Sequence, residues 1–402
     1  MNKITVIGDI MVEPPFMEQI GKNGNYDFYP SFAPLKTILE KSDYVIGNLE
    51  TPLAGEEAGY TSRIVSFNAP DTLAEALKKL GVDAVSTTNN HCLDRGYEGM
   101  VRTNQVLDRY GIAHTGTYAE DFTGERIHYF KIGDTTVALM AYTYATNVDI
   151  NGVELTGERS RCVNKLRPLK GGKRLYEPSP KFYFDTKEYV EQLLGRDMIW
   201  EETIKLKIAL HLPVPVIDDL VAEDEQDEYF RAIEEEYRQA REKADIVLFY
   251  PHVGGQFNEL PGKYTQRLMQ KCAKLGFDAS FAAHSHTSQK AESLNGMPCF
   301  YSLGNVTMSP GTFYSVSECL PEYGLAAHMY IDNKKIQKVT FSIFKMVEEG
   351  EDPLHVVPTD DLYETLDEAG KEKLFAETAS IYQRVTGKVY TGTKLCKEYD
   401  LI

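Results

Sequence analysis

The sequence predicts an α/β protein, and three observations carry that expectation. Short apolar runs rich in Val, Ile, Phe and Tyr recur along the chain, such as Ile4–Ile7, Thr136–Tyr142 and Ile246–Tyr250. Segments with apolar residues at helical spacing stand between them and close on Gly81, Gly111 and Gly276. The runs also stop abruptly at amides, imidazoles and carboxylates, most plainly where Ala84-Val85-Ser86 gives way to Asn89, Asn90, His91 and Asp94. In sheets built from such units, ligands sit beyond the carboxyl ends of the strands. A plainer reading of that stretch makes Asn89, Asn90 and Asp94 caps of the next helix and His91 a loop histidine.

Taken in order, strand Ile4–Ile7 ends in Gly8-Asp9, and strand Asp43–Ile46 ends in Gly47-Asn48-Leu49-Glu50, where Pro52 halts regular structure. The polar loop Gly55–Pro70 brings Arg63 to the pocket's border, and Asp71 is expected to cap a helix reaching Leu80. A second helix is expected over Met100–Tyr110, with strands at Ile112–Gly116 and Thr136–Tyr142. His114 and His128 have no ligand cluster around them and read as structural.

Residues 146–219 form a weakly patterned insertion with a dense basic run, Arg159, Arg161, Lys165, Arg167, Lys170, Lys173 and Arg174. It reads either as a solvated loop or as a flap meeting an anionic substrate. The amphipathic helix Glu223–Asp245 then delivers strand Ile246–Tyr250, which ends at Pro251-His252-Val253-Gly254. Helix Tyr264–Leu275 precedes Ala279–Ala283 and its terminal His284-Ser285-His286, and Cys299–Tyr301 ends in Ser302-Leu303-Gly304-Asn305. A hairpin is expected from Leu325–Ile331 and Lys338–Phe344 through Asp332-Asn333, followed by helix over Leu362–Val385. This divides the chain into a principal domain, 1–348, and a C-terminal helical extension, 349–402.

Composition bounds the function. The 402 residues are 42% hydrophobic and 26% charged, and no apolar run approaches the roughly 18 residues that span a bilayer. A net charge of -17 argues against nucleic acid or a membrane surface as partner, without excluding an anionic substrate held by a local basic patch or a metal. The first strand begins too early for a signal peptide, so a cytoplasmic protein is expected. Six scattered cysteines with no CxxC pair fit reduced thiols.

Asp9, Glu50, Asn90, His91, His252, His284 and His286 all stand just past apolar runs. Carboxylates, an amide oxygen and imidazoles form a borderline-hard donor set, suited to Mn, Fe or Zn. An extended His-x-His places alternate side chains on one face, and at a strand's end the two rings can diverge toward two adjacent ions.

Gly8-Asp9, Asn48-Leu49-Glu50, Asn89-Asn90-His91 with Leu93-Asp94 and Gly96, His252-x-Gly254, His284-x-His286 with Gln289, and Tyr301-Ser302-Leu303-Gly304-Asn305 occur in that order. Over residues 1 to about 310 the chain thereby resembles the CapA family of capsule and poly-γ-glutamate synthesis, which is related to calcineurin-like metallophosphatases. The resemblance implies a four-layer α/β/β/α metallophosphatase-like sandwich with a metal site along one edge of its central sheets. It implies one or two divalent ions, Mn first and Fe, Zn or Mg as alternatives, bridged by Glu50. Asp9 and His286 would complete one ligand set, and Asn90, His252 and His284 the other. His91 corresponds to a general acid that Asp94 orients, while Asn48, Asn89, Asn305 and Arg63 are expected at the substrate.

Two positions depart from the phosphatase and family patterns. Asp9-Ile10-Met11 stands where phosphatases carry Asp-x-His, a lack the CapA branch shares, and Gln256 stands where that branch often has an acidic residue. The expected activity is metal-dependent hydrolysis of a phosphoester or of an amide or γ-glutamyl bond in an anionic small molecule or polymer. The alternative is a non-catalytic, metal-stabilised binding or scaffold component of capsule-type polymer synthesis.

Overall fold

The computed structural model describes residues 1–401 apart from 23, 64, 168, 170–180, 199–201, 203–205, 207–208, 211–222, 311, 313–318 and 349–353. Its strands are β1 (Asn2–Ile10), β2 (Tyr44–Leu49), β3 (Ala84–Ser86), β4 (Ala113–Thr115), β5 (His128–Ile132), β6 (Thr135–Thr143), β7 (Ile246–His252), β8 (Ala279–Phe281), β9 (Ala291–Leu294), β10 (Met297–Phe300), β11 (Tyr323–Asp332), β12 (Lys335–Val347), β13 (His355–Pro358) and β14 (Tyr399–Asp400). One sheet runs β13-β12-β11-β1-β2-β3-β4 with β14 against β12, and the other runs β5-β6-β7-β8-β10-β9.

Side-chain alternation explains why the two sheets stack. Ile246, Leu248 and Tyr250 of β7 face the space between the sheets, where they meet Ile4 and Val6 of β1 and Leu325, Ala327 and Met329 of β11. The intervening Val247 and Phe249 face outward and are covered by Phe230, Ile233 and Tyr237 of helix α4 (Glu223–Lys243) and by Leu268, Met269 and Cys272 of α5 (Lys263–Leu275). On the opposite outer face, Ile7, Ile10 and Val85 lie under α1 (Pro14–Gly21), α2 (Thr72–Leu80) and α3 (Gly96–Tyr110). The order is therefore helix, sheet, sheet, helix, the four-layer sandwich expected. Strands buried on both faces explain why β7 carries no polar residue before its end.

The C-terminal helix α6 (Glu368–Thr386) closes one end of the space between the sheets with Leu374, Ile381 and Val385. No helix among the described residues is long and apolar enough to cross a membrane.

Local details differ from the expectation for stated reasons. Asp71 makes no capping bond to α2, because its carboxylate is taken by Arg102 and Arg109 of α3. Helix α3 begins at Gly96, four residues earlier than its apolar periodicity, and no side chain caps it. The β11–β12 turn falls on Asn333-Lys334, both with positive φ, one residue later than expected. The insertion pairs with the core through the bridges Thr117–Val163 and Thr143–Lys165, and a cavity of about 180 Å³ lies there between Leu93, Thr146, Leu155, Val163 and Lys165. Arg159 of its basic run pairs with Glu98 and Glu120, and Arg161 with Glu158, whereas Lys170, Lys173 and Arg174 lie outside the described residues.

Two glycines bring the sheet edges together at the site. A Cβ at Gly8 would stand 2.0 Å from the Gly304 carbonyl oxygen, which accepts the Asp9 N–H at 3.0 Å. Backbone cannot yield as a flexible side chain does, so Gly8→Ala is expected to cost about 3 kcal/mol or more in urea unfolding. A loss below about 1 kcal/mol in that titration would show that the contact relaxes freely.

His328 of β11 is buried between Thr5 Oγ1, 2.8 Å from its Nδ1, and Ser342 Oγ, 2.9 Å from its Nε2. Burial, with the Lys3 charge nearby, holds its pKa at about 3 against an ordinary 6.5. Between those values the unfolded chain binds a proton that the folded one refuses, so His328 costs stability increasingly as pH falls from 6.5 toward 3. Acid unfolding of His328→Gln is expected to be shallower across that window, and an unchanged profile would contradict the assignment.

Candidate metal centre

β1, β2 and β3 run parallel in one sheet, and β6, β7, β8 and β10 run parallel in the other. Their carboxyl ends meet at one edge. Asp9 lies near the end of β1, Glu50 follows β2, Asn89, Asn90 and His91 follow β3, His252 ends β7, and His284 and His286 follow β8. Asn305 follows β10 and pairs with Asp9 across an isolated bridge. Each side chain is placed by the stiff strand behind it, and every one is at most 2% exposed.

Two groups of ligand-type atoms form there. Glu50, His252 and His284 offer atoms within 4.8 Å of one another, as do Asp9, Glu50 and His286, so Glu50 is common to both. Asn90 Oδ1 lies 2.6 Å from His252 Nε2, and His284 Nδ1 lies 3.0 Å from the same nitrogen. Among the described residues neither buried Glu50 oxygen has a hydrogen-bond partner, the nearest imidazole nitrogen, His252 Nε2, lying 3.4 Å from Oε1.

The electrostatics show what the donors suit. Burial, reinforced by the Asp9 charge beside it, pushes the Glu50 carboxyl well above the ordinary range. Burial acts likewise on the imidazoles, holding His252 at about 3 and His284 well below the usual histidine range. Burial also opposes ionisation of Asp9, but hydrogen bonds from His286 and Asn48 and the nearness of the His252 and His286 rings bring it below the ordinary carboxylate value. His252 and His284, held neutral by burial, thus stand beside two carboxylates. A desolvated carboxylate without a partner is costly, and a divalent ion answers it by accepting the unused lone pairs of Glu50 and the imidazoles. The donor set fits such an ion.

Surrounding bonds hold the donors in place. Asn48 Nδ2 donates to Asp9 Oδ1 at 2.7 Å, Asn89 Nδ2 donates to Asn48 Oδ1 at 3.2 Å and to the Leu49 carbonyl at 2.8 Å, and the His284 N–H donates to Asp9 Oδ2 at 3.0 Å. Asn305 Oδ1 faces His286 Nδ1 at 2.9 Å. Asn48, Asn89 and Asn305 are therefore engaged in orienting the donors. Arg63 is exposed and pairs by backbone with Ser66; among the described residues, its side chain has no recorded contact with the cluster. His91 Nδ1 lies 2.7 Å from Asp94 Oδ2, which also accepts the Phe67 N–H at 2.7 Å, and the Phe67 ring lies 4.3 Å from the imidazole. That engagement displaces the capping role open to Asp94.

One correction concerns the backbone. The His-x-His is not extended, because His284 and His286 have φ of 104° and 55°. Such conformations cost about 1–3 kcal/mol each and persist where surrounding structure compels them. Met11 offers no ligand, as its residue type led one to expect, and is buried with Phe67, Phe257, Met308 and Cys319. His114 and His128 stand apart from the cluster, with Asp108 and Tyr44 as partners.

The sequence reading missed Tyr144 and Asn147. Tyr144 Oη lies 2.7 Å from His284 Nε2, and Asn147 Oδ1 accepts Asn90 Nδ2 at 3.3 Å. Both follow β6, and the strand-end rule applied to the other strands would have found them.

Residues 3–309 match the family model described as bacterial capsule synthesis protein PGA_cap. The chain belongs to this family. Among curated relatives, it is 22% identical over 325 residues to the PGA biosynthesis protein CapA of Bacillus subtilis (strain 168), covering 79% of this chain and 66% of that protein. It is 24% identical over 329 residues to the uncharacterized protein y4sH of Sinorhizobium fredii (strain NBRC 101917 / NGR234), covering 75% and 65%, and 21% identical over 326 residues to the capsule biosynthesis protein CapA of Bacillus anthracis, covering 80% and 63%. The chain thus spans just under two thirds of the length of these relatives. A solved structure of a 5'-nucleotidase from Candida albicans SC5314 is similar at a TM-score of 0.40 and 12% identity, over 94% of this chain and 58% of that one.

Proposed function

We propose that the chain is a metal-dependent hydrolase acting in the cytoplasm on a phosphoester, or on an amide such as a γ-glutamyl bond, in an anionic small molecule or polymer. The observation that carries this reading is Glu50, buried, without a hydrogen-bond partner among the described residues and common to both ligand groups. One ion would be held by Asp9, Glu50 and His286, and another by Glu50, Asn90, His252 and His284. Mn suits the donors first, with Fe, Zn or Mg as alternatives. Bound divalent ions supply a water of lowered pKa and polarise the attacked centre.

The chain's own residues supply the rest. Asp94 occupies His91 Nδ1, which leaves Nε2 as the nitrogen that passes a proton to the leaving group. Asn48 and Asn89 keep Asp9 in place, and Tyr144 steadies His284. Arg167 supports an anionic substrate. Its Nε donates to the Tyr144 carbonyl at 2.8 Å and its guanidinium lies 5.2 Å from that ring, so the insertion delivers a cation beside the tyrosine that touches His284. The relatives' names, which speak of PGA and capsule biosynthesis, favour a polymer.

Deep burial of the donors favours a second reading, a metal-stabilised binding or scaffold component. Metal analysis of protein purified without chelator, then a screen of phosphomonoesters, phosphodiesters and γ-glutamyl peptides with Mn added, separates the two. Bound metal with turnover of one class supports the hydrolase, bound metal without turnover supports the scaffold, and absence of metal sinks both.

A further inference from the structure

The C-terminal helix α6 lies beyond the family-matched residues 3–309, yet one of its side chains reaches the backbone next to the candidate ligands. Arg384 stands in its last turn with a side chain only 9% exposed. Its Nη1 donates to Thr287 Oγ1 at 2.9 Å and to the Cys319 carbonyl at 2.8 Å, while Nη2 pairs with Glu259. Thr287 Oγ1 itself donates to the Cys319 carbonyl at 2.7 Å. One guanidinium thus ties together three segments, the loop after β8, the loop after β7 and the approach to β11.

Both supports of His286 pass through this tie. Thr287 follows His286 directly, and the histidine's φ of 55° must be held by what surrounds it. On its other side, His286 Nδ1 faces Asn305 Oδ1, and the Asn305 amide donates to the His286 carbonyl at 2.9 Å and to the Pro321 carbonyl at 2.8 Å. Pro321 lies two residues from Cys319, so Arg384 anchors the strand of backbone that anchors Asn305. Glu259 balances the guanidinium, which lets a cation sit near the site without repelling divalent ions.

We propose that Arg384 is a positioning residue for His286: it fixes that imidazole for the ion shared with Asp9 and Glu50, and the C-terminal extension thereby serves the metal centre. The proposal rests on the metal reading above. Groups that orient a ligand from behind change metal affinity by about 10- to 100-fold when removed.

The test loads metal-free protein with Co2+, whose visible absorption reads ligand geometry, in wild type, Arg384→Gln, His286→Ala and Leu374→Ala. His286→Ala marks the part of the spectrum that belongs to the His286 ion. Leu374 is buried in the space between the sheets on the same helix, so its truncation loosens α6 without touching the loop. Arg384→Gln is expected to shift that part of the spectrum and weaken its Co2+ binding about 10- to 100-fold, while Leu374→Ala lowers stability and leaves both unchanged. Wild type that binds no Co2+ overturns the metal reading and the proposal together. Wild type that binds, with Arg384→Gln identical to it, overturns the positioning role alone. A matching change in Leu374→Ala overturns it too, by reducing the effect to helix stability.

Discussion

Glu50→Gln is expected to abolish the metal-dependent part of the protein's stability while leaving the metal-free protein at least as stable as wild type. The two halves follow from one geometry. With no ion bound, Glu50 sits beside Asp9 with neither oxygen hydrogen-bonded among the described residues and its ionised form disfavoured. A neutral amide of the same shape removes that conflict and can donate to Asp9. With ions present, Glu50 is the one carboxylate common to both ligand groups, so the amide weakens both at once. A ligand at one hundred times its dissociation constant stabilises the folded state by about 2.7 kcal/mol. Urea unfolding of both proteins with Mn and with chelator measures the difference. Persistence of a wild-type Mn effect in the variant would remove Glu50 from the centre.

His91→Asn is expected to do the opposite, sparing metal and fold while lowering turnover by about 10²- to 10⁴-fold, the usual worth of a positioned acid. The imidazole lies over Phe67 with Asp94 on Nδ1 and belongs to neither ligand group. Asparagine keeps a donor toward Asp94, so the carboxylate is not left stranded, but it has no group that titrates near neutrality. The substrate class found by the screen provides the assay, and metal content is measured on the same samples. Equal turnover in the two proteins would move the proton donor elsewhere, and lost metal would make His91 a ligand.

The α/β class and the gathering of the donors were legible because both depend on strand ends, whereas the four-layer stacking was expected only from the family resemblance. A strand buried on both faces is largely apolar until it leaves the sheet, so the ionisable and amide residues at or just past the ends of β1, β2, β3, β7 and β8 mark the edge where chemistry collects. Tyr144 and Asn147 escaped because β6 ends in Tyr142-Thr143 and runs on into Tyr144, residues that strands also favour, and the polarity change comes late. The left-handed backbone of His284 and His286 left no trace in residue type, since histidine is not a turn signal as glycine is. Arg384 was invisible for another reason. Its partners Thr287, Cys319 and Glu259 lie 97, 65 and 125 residues away, and no local periodicity encodes such a meeting.

The pairing of β1 fixes when the centre can come into being. β1 lies inside its sheet, with β2 on one side and the antiparallel β11 on the other, in the register Asn2–Ile331. At synthesis rates of 5–20 residues per second, the roughly 330 residues up to that partner take roughly 15 to 65 s to emerge. Until then one edge of β1 is open, and the loop from β10 that bonds Asp9 through Gly304 has only just been made. Ligands spread over such sequence distances close slowly. A nascent chain therefore carries Asp9 and Glu50 long before it carries His252, His284 and His286, and the candidate ligand groups come together only at a late stage of folding, after release of most of the chain from the ribosome.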